Sequence, residues 1–188
     1  DTVILDWEHH RLYQLLREWI SYEKDREPFS IVSRETRFKV ECSSINLEVF
    51  VDRIDRLEDG RQLVIDYKSS SQKISTWFGD LPEKPQLPFY AAYLKKIDGI
   101  AFAEVSKGEC RLNGLIREND DGEIKTIQNR TRHLYDAESV WETQLSVWRG
   151  KIQSLIDDFL SGRLSSPLTK EGCRSCAYRS ICRAEIYG

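Results

Sequence analysis

Two aspartates and a lysine are the residues best placed for chemistry in this sequence. Asp52 falls late in one apolar-rich run, and Asp66-Tyr67-Lys68 closes the next. Residues two apart on a strand share a face, so Asp66 and Lys68 project together. Glu58-Asp59-Gly60, a hairpin signal, joins the two runs, so the carboxylates of Asp52 and Asp66 can converge at one end of a sheet. Paired carboxylates suit a hard cation such as Mg²⁺ or Mn²⁺, which polarises a phosphate and lowers the pKa of bound water. An adjacent ammonium can orient that water or steady charge developing on the phosphate. Asp-x-Lys by itself is common by chance. Val51-Asp52-Arg53-Ile54-Asp55-Arg56, at hairpin distance ahead of it, gives it weight.

Cys173, Cys176 and Cys182 form a second grouping near the C-terminus. Thiolates this close together are typical ligands for zinc or an iron–sulfur cluster, and either site usually wants a fourth. For zinc the fourth would be His133 or another group. Cys42 and Cys110 each stand alone beside a strand-like stretch and read as small buried thiols.

Along the chain, Leu12, Leu15, Leu16, Trp19 and Ile20 follow helical spacing, and Pro28 closes that helix. Strands are expected at 30–41, 47–57 and 63–68, these three forming an antiparallel meander. In the second of them, Leu47, Val49 and Val51 point one way and Glu48, Phe50 and Asp52 the other. A loop carrying Trp77 and Phe78 leads to a helix over about 85–97, with Pro88 tolerable in its first turn. The two aromatics could stack on unpaired bases or pack in the core. Strands follow at 100–105 and 111–116. A long helix over about 137–160 buries Trp141, Leu145, Trp148, Ile152, Leu155, Ile156 and Phe159. The pattern is α+β, or α/β with a mixed central sheet flanked by helices. Arg53, Asp55 and Arg56 are expected to form salt bridges around the strand end, and Glu35 to be a solvated strand carboxylate.

Composition sets the outer limits. A chain of 188 residues fits one domain with a small appendage, and 40% hydrophobic residues exclude disorder. The net charge of -3 does not announce nucleic acid, so DNA fits only if basic groups gather around an acidic metal site. No apolar run approaches the ~20 residues that cross a membrane. With no signal peptide either, a cytoplasmic protein without a membrane partner is expected. The chain begins at Asp1 and contains no Met, and it reads as the C-terminal fragment of something longer.

Three ordered blocks then carry a family resemblance: Val51-Asp52-Arg53-Ile54-Asp55, Val64-Ile65-Asp66-Tyr67-Lys68 and Gln86-Leu87-Pro88-Phe89-Tyr90-Ala91. The chain resembles the PD-(D/E)xK nuclease superfamily, in its RecB-like and AddB-like exonuclease branch. The resemblance implies a restriction-endonuclease-like fold over 1–165 and a cysteine-containing tail over 166–188. It makes Asp52 and Asp66 ligands of Mg²⁺ or Mn²⁺, with the Tyr67 backbone carbonyl as a further oxygen. Lys68 becomes the catalytic lysine, and Gln86 and Tyr90, on one face of a helix, contact DNA or support the lysine. Cys173, Cys176 and Cys182 would join an upstream cysteine to hold a 4Fe–4S cluster in the full-length protein. The implied activity is a DNA exonuclease in recombination and repair, beside a helicase or inactivated-helicase region of the same polypeptide or a partner subunit. The alternative is a catalytically incomplete DNA-binding or scaffolding module of a helicase–nuclease complex. One part departs from the pattern. The branch carries a Gly-x-x-x-His helix upstream, whereas His9 and His10 lack that glycine, so its counterpart is expected ahead of residue 1.

Overall fold

The computed structural model describes residues 2–80, 82–118, 122–127, 138–163 and 177. Helix α1 (Thr2–Lys24) precedes three strands, β1 (Phe29–Cys42), β2 (Ile45–Leu57) and β3 (Gln62–Lys68). A 3-10 turn at Ile74–Trp77 leads to α2 (Gln86–Tyr93), then β4 (Gly99–Ser106), β5 (Glu109–Arg117), β6 (Ile124–Thr126) and α3 (Trp141–Leu160). The six strands form one sheet in chain order. β1–β2–β3 is the expected antiparallel meander. β3 and β4 pair in parallel, because the crossover through α2 returns the chain to the starting end of β3. The fold is restriction-endonuclease-like, with a mixed, mostly antiparallel sheet between helices.

Both faces of the sheet centre are covered, which explains the unbroken apolar run of β3. Leu63 and Ile65 face α1, where Trp19 packs on them with Ala101, Ala103 and Leu112. Val64 faces the other way, into a larger core with Ile54, Ile100, Trp77, Leu87, Tyr90, Trp141 and Trp148. Two of its indoles are buried without penalty because each finds a carbonyl: Trp148 Nε1 donates to Trp77 O at 2.8 Å and Trp141 Nε1 to Ile97 O at 3.1 Å. Trp77 and Phe78 are 0% and 7% exposed, so they belong to this core and do not offer a stacking surface.

Several expectations need correction. Helix α2 stops at Tyr93, since Leu94 is extended and Lys96 takes a positive φ of 62°, turning the chain into β4. Helix α3 starts at Trp141, and Val140 before it bridges to Glu123. Only part of each helical stripe is buried. On α1, Trp19 is covered while Leu12, Leu16 and Ile20 are exposed; on α3, Leu155 and Phe159 are exposed. The short strand β6 carried too weak an alternation to be read. Cys42 is buried and Cys110 half-buried. His133 and the tail cysteines Cys173, Cys176 and Cys182 lie outside the described residues.

Candidate active site

The site forms where the β2–β3 ladder ends. Pairing runs from Arg56↔Gln62 to Arg53↔Ile65; one step further lie Asp52 and Asp66, opposite each other. There the backbone ladder gives way to a side chain: Tyr67 N–H donates to Asp52 Oδ2 at 3.1 Å. The strands are irregular at this point. Val51 and Ile54 both enter the core under α2 and α3 although three residues apart, so strict alternation slips at Asp52-Arg53. Across the sheet, β1 pairs Arg34 with Arg53 and Thr36 with Val51, and the intervening Glu35 has φ of 49°. Asp52 is thereby freed from the simple in–out pattern expected of it.

Asp66 is buried, at 3% exposure, and not at an exposed strand end. Lys68 Nζ lies 2.6 Å from Asp66 Oδ2 as an ion pair. Beyond that ion pair the buried Oδ2 has no partner among the described residues. Burial pushes the Asp66 pKa above the ordinary aspartate value. Lys68 pulls it down, the charge of Asp52 adds to the rise, and the nearby Gln86 side chain lowers it.

The first turn of α2 supplies the next layer. Gln86 Nε2 donates to Tyr90 OH at 3.2 Å, and Tyr90 OH donates to Phe50 O at 2.8 Å. That last bond ties α2 to β2 just ahead of Asp52. Burial raises the Tyr90 pKa, and the charges of Asp66, Asp52 and Lys68 all act on it. The structure thus brings Asp52, Asp66, Lys68, Gln86 and Tyr90 into one neighbourhood.

One contributor escaped the sequence reading. Glu104 sits opposite Lys68 in the parallel β3–β4 register and is 1% exposed. It accepts hydrogen bonds from Gln72 N, Arg111 Nε and Asn113 Nδ2, at 2.7, 2.7 and 2.8 Å, fixing the loop that leaves Lys68. An acid between Ala103 and Val105 in an apolar strand was the available signal. Glu35 is exposed, as expected, and Arg56 is exposed too. Arg53 and Asp55 do pair, but in a buried network under α1 and not around the strand end.

A buried carboxylate beside a second carboxylate fits a hard divalent cation. Among the described residues no group of three or more His, Cys, Asp or Glu side chains is placed to hold a metal, so this donor set is two aspartates.

The family model of the PD-(D/E)XK nuclease superfamily matches residues 2–183, and the chain belongs to that superfamily. Its similar curated relatives include ATP-dependent helicase/deoxyribonuclease subunits of Streptococcus pyogenes, from serotype M49 (strain NZ131) and from serotype M4 (strain MGAS10750). Each is 37% identical over 70 residues, which cover 36% of this chain and 6% of the relative. The chain therefore corresponds to a small part of those proteins. The crystal structure of SSO0001 aligns over 93% of this chain and 69% of that one, at 14% identity and a TM-score of 0.43, a distant likeness only. Among the described residues no helix is long and apolar enough to cross a membrane.

Proposed function

We propose that this chain is a Mg²⁺- or Mn²⁺-dependent deoxyribonuclease domain that hydrolyses DNA phosphodiester bonds, acting as an exonuclease in recombination and repair. The observation that carries this reading is buried Asp66, ion-paired with Lys68 at 2.6 Å and with its pKa raised first by burial and then by the charge of Asp52. Asp52 and Asp66 would hold the cation, with the Tyr67 carbonyl as a further oxygen. The bound cation would polarise the scissile phosphate and make its water a nucleophile near neutral pH. Lys68, half-exposed, balances Asp66 and is free to turn toward water or phosphate. Gln86 and Tyr90 brace Asp66 and the β2 backbone. The proposed domain covers 1–165 in the cytoplasm, with 166–188 as a tail whose Cys173, Cys176 and Cys182 hold a 4Fe–4S cluster with a fourth cysteine from elsewhere. Similarity to helicase/deoxyribonuclease subunits supports a helicase or inactivated-helicase neighbour.

The second reading is a catalytically incomplete DNA-binding or scaffolding module, favoured by the lack of a third acid or histidine ligand among the described residues. Incubating the chain with end-labelled linear DNA, with Mg²⁺, Mn²⁺ or chelator, separates the two. Cleavage that disappears with chelator and in Asp66→Asn supports the nuclease. DNA binding without cleavage by the wild-type chain supports the module.

A further inference from the structure

The geometry points to Arg53 and Tyr67 as positioning residues: a clamp on the α1 face of the sheet that sets how Asp52 and Asp66 stand on the other. The inference rests on the nuclease reading for its purpose, but on separate contacts for its existence. Each member is covalently next to a site residue, since Arg53 follows Asp52 and Tyr67 lies between Asp66 and Lys68. Arg53 Nη1 donates to Tyr67 OH at 2.9 Å, and Tyr67 N–H donates to Asp52 Oδ2 at 3.1 Å. These two bonds, with the Asp52–Arg53 and intra-Tyr67 covalent links, close a ring through the sheet. The ring lies at the step where the β2–β3 ladder stops at Arg53↔Ile65 and no longer holds the strands together.

Everything around Arg53 makes it rigid. It is 6% exposed, with Nε donating to Asp55 Oδ1 at 2.6 Å. Nη2 donates to Asp55 Oδ2 at 2.9 Å and to Glu23 Oε2 at 2.7 Å. Arg26 completes the arrangement through Glu23 at 2.7 Å and Asp55 at 3.1 Å. The Phe29 ring lies 4.2 Å from the Arg26 guanidinium carbon and 5.0 Å from that of Arg53. Burial opposes the charge on Arg53, but its bonds to Asp55, Glu23 and Tyr67 outweigh that and hold its pKa above the ordinary value. The Tyr67 ring meets Trp19 of α1 edge-on at 5.7 Å between centroids. Helix α1 therefore acts on the site through these two side chains, without reaching it.

Such a clamp serves a metal site because ligand groups must be held before the ion arrives, and the residues that orient them tune affinity. Tyr67→Phe is the clean test, since Tyr67 is 39% exposed and the change removes only the hydroxyl while keeping the ring on Trp19. Two readouts are needed in the 188-residue chain. Amide hydrogen exchange at residue 67 reports the bond to Asp52 without any metal, and Mn²⁺ titration followed by electron paramagnetic resonance reports the site. Tyr67→Phe is expected to speed exchange at residue 67 and to weaken Mn²⁺ binding by about ten-fold each, with exchange at Ala101 and the urea midpoint unchanged. Arg53→Lys, which keeps the charge but loses the fork, is expected to speed exchange at residue 67 and weaken Mn²⁺ binding to the same extent while also lowering the urea midpoint, and adding Tyr67→Phe to it should change the first two no further. Unchanged exchange at residue 67 in Tyr67→Phe overturns the clamp. Faster exchange in a chain whose wild type binds no Mn²⁺ upholds the clamp and removes the nuclease reading instead.

Discussion

Asp55 and Asp66 are both buried acids on neighbouring strands, yet they face opposite sides of one sheet and have opposite surroundings. Asp55, at 0% exposure, accepts from Arg53 on both oxygens and from Arg26 as well. Asp66, at 3%, has Lys68 as its one cationic partner among the described residues, and burial first and then the charge of Asp52 raise its pKa. Full pairing of a buried charge is what a structural network requires, since a lone buried charge is costly. Incomplete pairing leaves capacity for a ligand. The acid on the α1 face is part of a closed structural network, and the acid on the α2 face is the one the proposed nuclease reading uses.

The contrast breaks most visibly in activity. If the chain is the proposed nuclease, Asp66→Asn and Lys68→Ala should each lower DNA cleavage by about a thousand-fold, because the charge they would place at the phosphate cannot be replaced by water. Release of labelled nucleotide measures this, and near-wild-type rates from either folded variant would refute the site assignment. Stability should show the reverse ranking. Arg53→Met leaves the buried Asp55 and Glu23 with Arg26 as their remaining cation and should cost about 3–5 kcal/mol in urea unfolding. Asp66→Asn, which removes a poorly paired charge, should leave stability unchanged or raise it by about 1 kcal/mol.

The pH dependence sharpens the same point. Burial lifts the Asp66 pKa in the folded state, so its protonated form is favoured by folding. Its contribution to stability is fully present below the unfolded-state pKa and is lost as pH rises through the folded-state pKa. Mn²⁺ binding needs the carboxylate and should rise over that same interval. Comparing urea midpoints across acidic pH for wild type and Asp66→Asn isolates this contribution; an identical pH profile in both would mean Asp66 titrates normally. The smallest effect belongs to Arg37 and Glu48, paired at 2.9 Å but with side chains 72% and 51% exposed. Arg37→Ala should change stability by less than about 0.5 kcal/mol, and a larger loss would show that exposed pairs matter here.

Much of this arrangement was legible in the sequence. The hairpin signal at Glu58-Asp59-Gly60 was enough to bring Asp52 level with Asp66, and the four-residue spacing of Gln86 and Tyr90 was enough to put them on one helical face. What could not be read was tertiary. Nothing local distinguishes Asp55, which is matched on every side, from Asp66, which is not. The slip at Asp52-Arg53 depends on the neighbouring strand, where Glu35 takes a positive φ. The early stop of α2 follows from the need to return beside β3, a demand set by sheet pairing and not by the helical propensity of Leu94 and Lys95. Trp77 and Phe78 sit in a segment whose composition suits a loop, and packing of Trp77 on Phe102 of β4 and of Phe78 on Trp148 of α3 makes them core.

The parallel pairing of β3 with β4 has a consequence for the order of assembly. The β1–β2–β3 meander joins neighbours through short turns, so Asp52 and Asp66 can meet through local contacts. Lys68 and Glu104 come into register only after residues 69–98 have closed as a loop, and that closure entropy precedes any reward from the contact. Gln86 and Tyr90 ride on that loop. A chain folding in this order would carry its acidic pair early and acquire its brace late, so a partly folded chain would not yet have a finished site.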